Sequence, residues 1–263
     1  INTGIWKITE SLTKINKSLG VNYYLGSSIN EVDTKSNIVS FSKENKDHEL
    51  HFDHLIFATD PVTPSKLINN FKNKVNLDLI GTSGKVTAFF KNPVKWTDSN
   101  NYSDSFRFMF SNDTLDKFEN ASQSALKNSG DYFPGFIQVY PDGSAQRLMD
   151  NFENYDKLIL FTKNLSYFKN GNDVEGVKEK IISSVLPYIE NYDDLIFSKF
   201  LTPKDLNEIF LFPKGNIDHS TLTGNQNFDK RTLSLNSENF YSYYDYENIY
   251  YCGAGQFSMW KCS

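Results

Sequence analysis

The residues best suited by type to do chemistry lie in two short stretches. In Phe212-Pro213-Lys214-Gly215-Asn216-Ile217-Asp218-His219, proline, glycine and asparagine enforce an irregular loop that can present an imidazole to a ligand near neutral pH. For His219, structural and functional readings stand level. Gly253-Ala254-Gly255 follows an apolar strand, as phosphate-cradling glycines do, but it lacks the third glycine of G-x-G-x-x-G. A plain strand-ending turn explains it nearly as well. His48, His51 and His54 flank a polar hairpin, where solvated or turn-capping roles outweigh metal binding. Cys252, inside an apolar strand, reads as an inert core thiol rather than a nucleophile. Phe106, Phe108 and Phe110 alternate along one strand face, with core packing the default and an apolar substrate cavity the sharper alternative.

Composition narrows the chemistry further. The chain has 263 residues, 39% of them hydrophobic, with 27 basic against 32 acidic side chains and a net charge of −5. That is a folding composition, and its sign disfavours a surface built to neutralise phosphates, so nucleic acid is not the expected partner. No run approaches the ~20 consecutive apolar residues of a membrane helix. Two cysteines, Cys252 and Cys262, make neither a disulfide framework nor by themselves a zinc site, so no metal is expected, and their scarcity suits a reducing compartment such as the cytoplasm or mitochondrial matrix. The start at Ile1 and the close on an apolar segment suggest a piece of something longer.

The elements that must hold these residues follow from periodicity. Ile5, Ile8, Leu12, Ile15 and Leu19 fall at helical spacing, and Gly20 ends that helix. Residues 21–25, 28–32, 38–41 and 49–52 read as four short strands of a meander. His54-Leu55-Ile56-Phe57-Ala58 is an uninterrupted apolar run, as expected of a strand in a covered parallel sheet, and it stops at Thr59-Asp60-Pro61. A short helix is predicted over 64–71, strands over 84–93, 105–110, 135–140, 157–163, 195–201 and 248–252, and a second long helix over 174–188. Thr202-Pro203-Lys204-Asp205 supplies a hydroxyl cap and a first-turn proline for a helix through Phe210.

Three ordered segments then carry a resemblance: Leu201 to Phe210 with its Thr-Pro-Lys-Asp start, Pro213-Lys214-Gly215-Asn216-Ile217-Asp218-His219, and Tyr251-Cys252-Gly253-Ala254-Gly255. With Gly4 to Leu12, Gly20-Val21, Ile29-Asn30-Glu31-Val32 and Asp53 to Pro61, the chain resembles, over nearly its whole length, the phytoene-desaturase-like FAD-dependent oxidoreductases. These include carotenoid desaturases and isomerases and the pyridine nucleotide-disulfide oxidoreductase domain-containing proteins. The resemblance implies a mixed α/β fold in which a partial FAD-binding Rossmann-like domain (1–64 and 241–263) is interleaved with an antiparallel-sheet substrate domain (65–240). It implies FAD as cofactor and hydride transfer with a large apolar, isoprenoid-like substrate. Ile29 would lie against the adenine, Ala58 and Thr59 near the adenosine side, and Gly253, Ala254 and Gly255 beside the pyrophosphate and ribityl chain. Gly215, Asn216 and His219 would approach the isoalloxazine, the last two as the catalytic pair.

Two departures qualify that expectation. The glycine-rich fingerprint and the acidic ribose-binding residue are missing from these 263 residues, so a second polypeptide supplying the N-terminal FAD-binding half is one expectation. After Gly255, where the family continues with proline and glycines, this chain has the bulky Gln256-Phe257-Ser258-Met259-Trp260. The alternative is a cofactor-less structural or binding subunit of a larger assembly, derived from such a flavoprotein.

Overall fold

The computed structural model describes residues 6–72, 75, 77–97, 107–110, 114–127, 136–141, 156–167, 173–221 and 241–254. The fold is mixed α/β and divides into two units, each built from two stretches of chain. Unit 1 comprises Ile1–Val21 and Gly81–Gly215, and unit 2 comprises Asn22–Ile80 and Asn216–Ser263. The chain changes unit at residues 21–22, 80–81 and 215–216, where the sequence suggested boundaries at 64–65 and 240–241.

Unit 1 is organised by a five-stranded antiparallel sheet in the order β6-β7-β8-β5-β9. Its strands are β5 (Gly84–Phe90), β6 (Arg107–Phe110), β7 (Phe136–Pro141), β8 (Asp156–Thr162) and β9 (Leu195–Leu201). Alternation decides which side chains go inward. Val86, Ala88 and Phe90 of β5 are buried, whereas Lys85, Thr87 and Phe89 between them are half-buried. Helix α4 (Val174–Ser183) sets Val177, Ile181 and Ile182 into the same cluster as Val86, Ala88, Leu158 and Leu160. Its expected extension to residue 188 stops early because Pro187 cannot continue the ladder, and a tight turn at Leu186–Tyr188 replaces the last helical turn. The sheet's other face carries Phe89, Ile159 and Phe161, half-buried, with Phe89 stacked on the exposed Phe197 at 4.3 Å.

Three helices complete unit 1. In α1 (Trp6–Ser18) the periodic Ile8, Leu12 and Ile15 form the expected stripe, yet the helix buries no residue. Helix α3 (Leu115–Leu126) was not foreseen. Thr114 caps it by accepting from the Lys117 amide, and only Ala125 is buried, so its apolar pattern is faint. Helix α5 (Pro203–Phe210) has the cap that its sequence announces: the Asp205 amide donates to Thr202 Oγ1 at 3.2 Å and the Thr202 amide donates to Asp205 Oδ2 at 2.8 Å. It ends at Leu211 in left-handed conformation, φ 59°, with 81% of that side chain's surface exposed.

Unit 2 holds two small sheets. The meander has three strands, β1 (Ser27–Asp33), β2 (Ile38–Lys43) and β3 (Lys46–His51), antiparallel in that order. Residues 21–25, expected as a fourth, form no strand, and Val21, Tyr23, Tyr24 and Leu25 are exposed. The second sheet pairs β4 (Leu55–Phe57) in parallel with β10 (Ile249–Tyr251), matching Leu55 to Ile249 and Phe57 to Tyr251. The parallel strand is therefore as the apolar run suggested, but it is covered on one face only: Phe57 is buried while Ile56 is 62% exposed. Under the covered face Val32, Phe57, Ile68, Tyr243, Ile249 and Tyr251 form one cluster, to which α2 (Thr63–Leu67) contributes Leu67 from its last turn. No helix among the described residues is long and apolar enough to cross a membrane.

Candidate functional site

Parallel pairing gives β4 and β10 a common carboxyl end, and from it two turns leave side by side. Cys252 closes the pair by donating its amide to the Phe57 carbonyl at 2.8 Å. Beyond that bond lie Ala58-Thr59-Asp60-Pro61 on one side and Gly253-Ala254 on the other. Four of the expected cofactor residues, Ala58, Thr59, Gly253 and Ala254, thus meet in one place, and all but the half-buried Thr59 are exposed. In open α/β sheets, ligands bind at such carboxyl ends.

The turns are locked by named bonds. Asp60 Oδ1 accepts from the amides of Val62 at 2.9 Å and Thr63 at 3.0 Å, and its other oxygen accepts from the Thr63 hydroxyl. A carboxylate so used folds the chain back into α2. From the core, the Tyr251 hydroxyl donates to the Thr59 carbonyl at 3.1 Å and the Tyr243 hydroxyl to the Pro61 carbonyl at 3.3 Å. Burial pushes the Tyr243 phenol well above its ordinary value, with the neighbouring Tyr244 adding to the shift, so it stays a neutral donor at any physiological pH. Gly253 has φ 153°, and a Cβ there would lie 3.2 Å from the Thr59 carbonyl oxygen and 3.5 Å from the Tyr251 hydroxyl. Glycine lets the second turn press on the first.

The remaining expected residues are placed elsewhere. Ile29 is exposed on β1, opposite Phe41 and next to a bulge at Asn30, and no described hydrogen bond or ring contact joins it to the two turns. Asn216 is 6% exposed and commits its amide to the backbone: Nδ2 donates to the Ile80 carbonyl at 3.3 Å and Oδ1 accepts from the Asp218 amide at 2.9 Å. It builds the turn that carries His219, whose own amide donates to the Asn216 carbonyl at 3.1 Å. His219 is half-buried with φ 60°, a left-handed conformation uncommon outside glycine and asparagine. Gly215 falls in unit 1, apart from that turn's unit, and has its own reason to be glycine: at φ 70° its Cβ would stand 2.0 Å from the Pro203 carbonyl oxygen. Gly255 lies outside the described residues, as do Phe106 and residues 256–263, and the side chains of Phe108 and Phe110 are not described.

Cys252 is a correction. It sits one residue past β10 and is exposed, because the strand stops at Tyr251 and the chain turns outward there. The three hairpin histidines are exposed as expected. His48 stacks on Phe41 at 5.2 Å, and no metal-binding group of His, Cys, Asp and Glu exists among the described residues. Tyr243, Tyr251 and Asp60 were not singled out from the sequence. The signal available was the tyrosine density of 241–251, where six of eleven residues are Tyr.

No family model matches the chain, and no curated protein matches it. Similar solved structures include reduced UDP-galactopyranose mutase (TM-score 0.42, 12% identity, 77% of this chain and 41% of that one). The flavin-dependent halogenase CmlS gives TM-score 0.44 and 10% identity over 95% of this chain and 34% of its own. Cyclohexylamine oxidase from Brevibacterium oxydans IH-35A gives 0.44 and 8% over 87% and 42%. The chain spans 34–42% of the length of these three proteins. With overlap this partial, the functional reading rests on the chain's own residues.

Proposed function

We propose that unit 2 is part of an FAD site, in a protein of the phytoene-desaturase-like class that its ordered segments resemble. The observation that carries this reading is the shared carboxyl end of β4 and β10, where Ala58 and Thr59 face Gly253 and Ala254 across a bond from Cys252 to Phe57. Small, exposed residues there let a dinucleotide approach the backbone, and the glycine at 253 is enforced by the closeness of Thr59. When bound, the flavin supplies hydride transfer. The chain's part is to seat the adenosine side on Ala58 and Thr59 and the pyrophosphate and ribityl side on Gly253 to Gly255. Asn216 holds the turn bearing His219, and His219 is the side chain of that turn suited to exchange a proton with a substrate. In this reading Ile29 flanks the adenine.

The substrate proposed is large and apolar, isoprenoid-like in class. The side chains that support it are Phe89, Ile159, Phe161 and Phe197, which share the sheet face of unit 1 away from α4 with Lys85, Thr87, Lys157 and Lys199. A second polypeptide is proposed to supply the glycine-rich half of the cofactor cradle, since no G-x-G-x-x-G occurs in the sequence and β4 is paired on one side only among the described residues. The test is the flavin absorbance of the chain isolated with the subunit that accompanies it. Yellow colour released as FAD on denaturation is expected, and a colourless assembly refutes the reading.

One observation favours a second reading, a cofactor-free subunit of a larger assembly. Every apolar residue of α1 is left at least partly exposed, with Trp6, Ile8, Leu12 and Ile15 forming a surface that calls for a protein neighbour. That reading predicts a stable complex without flavin.

A further inference from the structure

We infer that Tyr251 is a positioning residue for the cofactor site, aiming one backbone donor of the first turn outward; the inference rests on the flavin reading above. Tyr251 is 1% exposed, and from the buried side its hydroxyl fixes the Thr59 carbonyl at 3.1 Å. A trans peptide holds its C=O and N–H on opposite sides, and the described chain has no cis peptide. Turning the Thr59 carbonyl toward the phenol and Gly253 therefore turns the Asp60 N–H to the opposite side, toward the edge of β4 that is unpaired among the described residues. Asp60 cannot swing freely, because its carboxylate is held by Val62 and Thr63, its own carbonyl accepts from the Thr59 hydroxyl, and the Pro61 carbonyl is held by Tyr243. Gly253 completes the clamp, lying against both the Thr59 carbonyl and the Tyr251 hydroxyl. The outcome is one amide with fixed direction, suited to an acceptor atom on the adenosine side of a dinucleotide, such as a ribose oxygen or a ring nitrogen.

Tyr250 provides the control. It is the adjacent residue of the same strand, and its hydroxyl also donates to a backbone carbonyl, that of Glu247 at 3.0 Å. The test compares Tyr251→Phe with Tyr250→Phe in the isolated assembly, stripped of flavin and titrated with FAD by fluorescence quenching well below the melting temperature. It is paired with the shift of the Asp60 amide resonance on adding FAD. Tyr251→Phe is expected to weaken FAD binding roughly fivefold or more and to abolish the Asp60 shift, with Tyr250→Phe within about twofold of wild type. Wild-type binding with an unchanged Tyr251→Phe overturns the positioning role, as does an equal loss in both variants. A wild-type assembly that takes up no FAD overturns the flavin reading itself, and the inference with it.

Discussion

The two units solve the problem of buried polar backbone in different ways. Unit 1 pairs its strands into one continuous sheet, and its core of Val86, Leu158, Leu160, Ile181 and Val185 is almost wholly aliphatic. Unit 2 has short sheets of three and two strands, so its connecting turns cannot be satisfied by a ladder. Phenols do that work instead: Tyr243 and Tyr251 sit in the core among Phe57, Phe71 and Tyr244 and reach turn carbonyls. A sheet rigidifies strands, while a hydroxyl rigidifies one chosen peptide. A region that must present irregular backbone to a ligand gains from the second device.

The contrast can be broken at its strongest point first. Leu160→Ala removes a fully buried side chain from the aliphatic core and is expected to cost about 3–4 kcal/mol, with amide exchange rising across β5, β7 and β8 and little change in unit 2. Equal loosening of both units would show that they unfold together. Gly215→Ala comes next, at about 3 kcal/mol, because its Cβ meets the Pro203 carbonyl and its left-handed φ penalises any side chain. Thermal denaturation measures it, and retained stability would mean that the start of α5 can shift.

Alkali sharpens the comparison from the other side. Burial raises the phenols of Tyr243, Tyr244 and Tyr246 above the ordinary 10.0, so each contributes stability that is complete below that value and is lost as pH climbs above it, when the unfolded chain ionises first. Unit 2 should therefore loosen before unit 1 as pH rises past 10, read by phenolate absorbance together with amide exchange. The smallest effect is a gain: Leu211→Gly should stabilise α5 by about 1 kcal/mol, since it relieves a left-handed leucine that buries little. No rise in the melting temperature would show that the leucine is held by contacts that glycine lacks.

What could be read in advance divides along the same line. Local signals were legible: the stripe of α1, the alternation of β5, the Thr202 to Asp205 cap and the apolar run of β4 each follow from neighbours a few residues away. Features set by distant chain were not. Residues 21–25 are apolar enough for a strand but join no sheet, and α3, capped yet barely buried, gave little periodicity. In the candidate site the glycines were visible, but the reason for Gly253 lies in Thr59 and that for Gly215 in Pro203. The same holds for Asn216, whose amide is spent on Ile80, 136 residues earlier. Cys252 was misjudged by a single position, which in a strand that ends is the difference between core and surface.

The pairing of Leu55 with Ile249 also fixes an order of events at the ribosome. Every strand of the larger sheet, from Gly84 to Leu201, has been synthesised before the first residue of β10 exists. Unit 1 can close while β4 still waits for its neighbour, so the nascent polypeptide carries an unfinished half while residues 58–248 are made. Arrest of synthesis short of residue 249 would leave the phenol-rich core without Ile249 and Tyr251, and quality control would meet a molecule already folded in one part and open in the other.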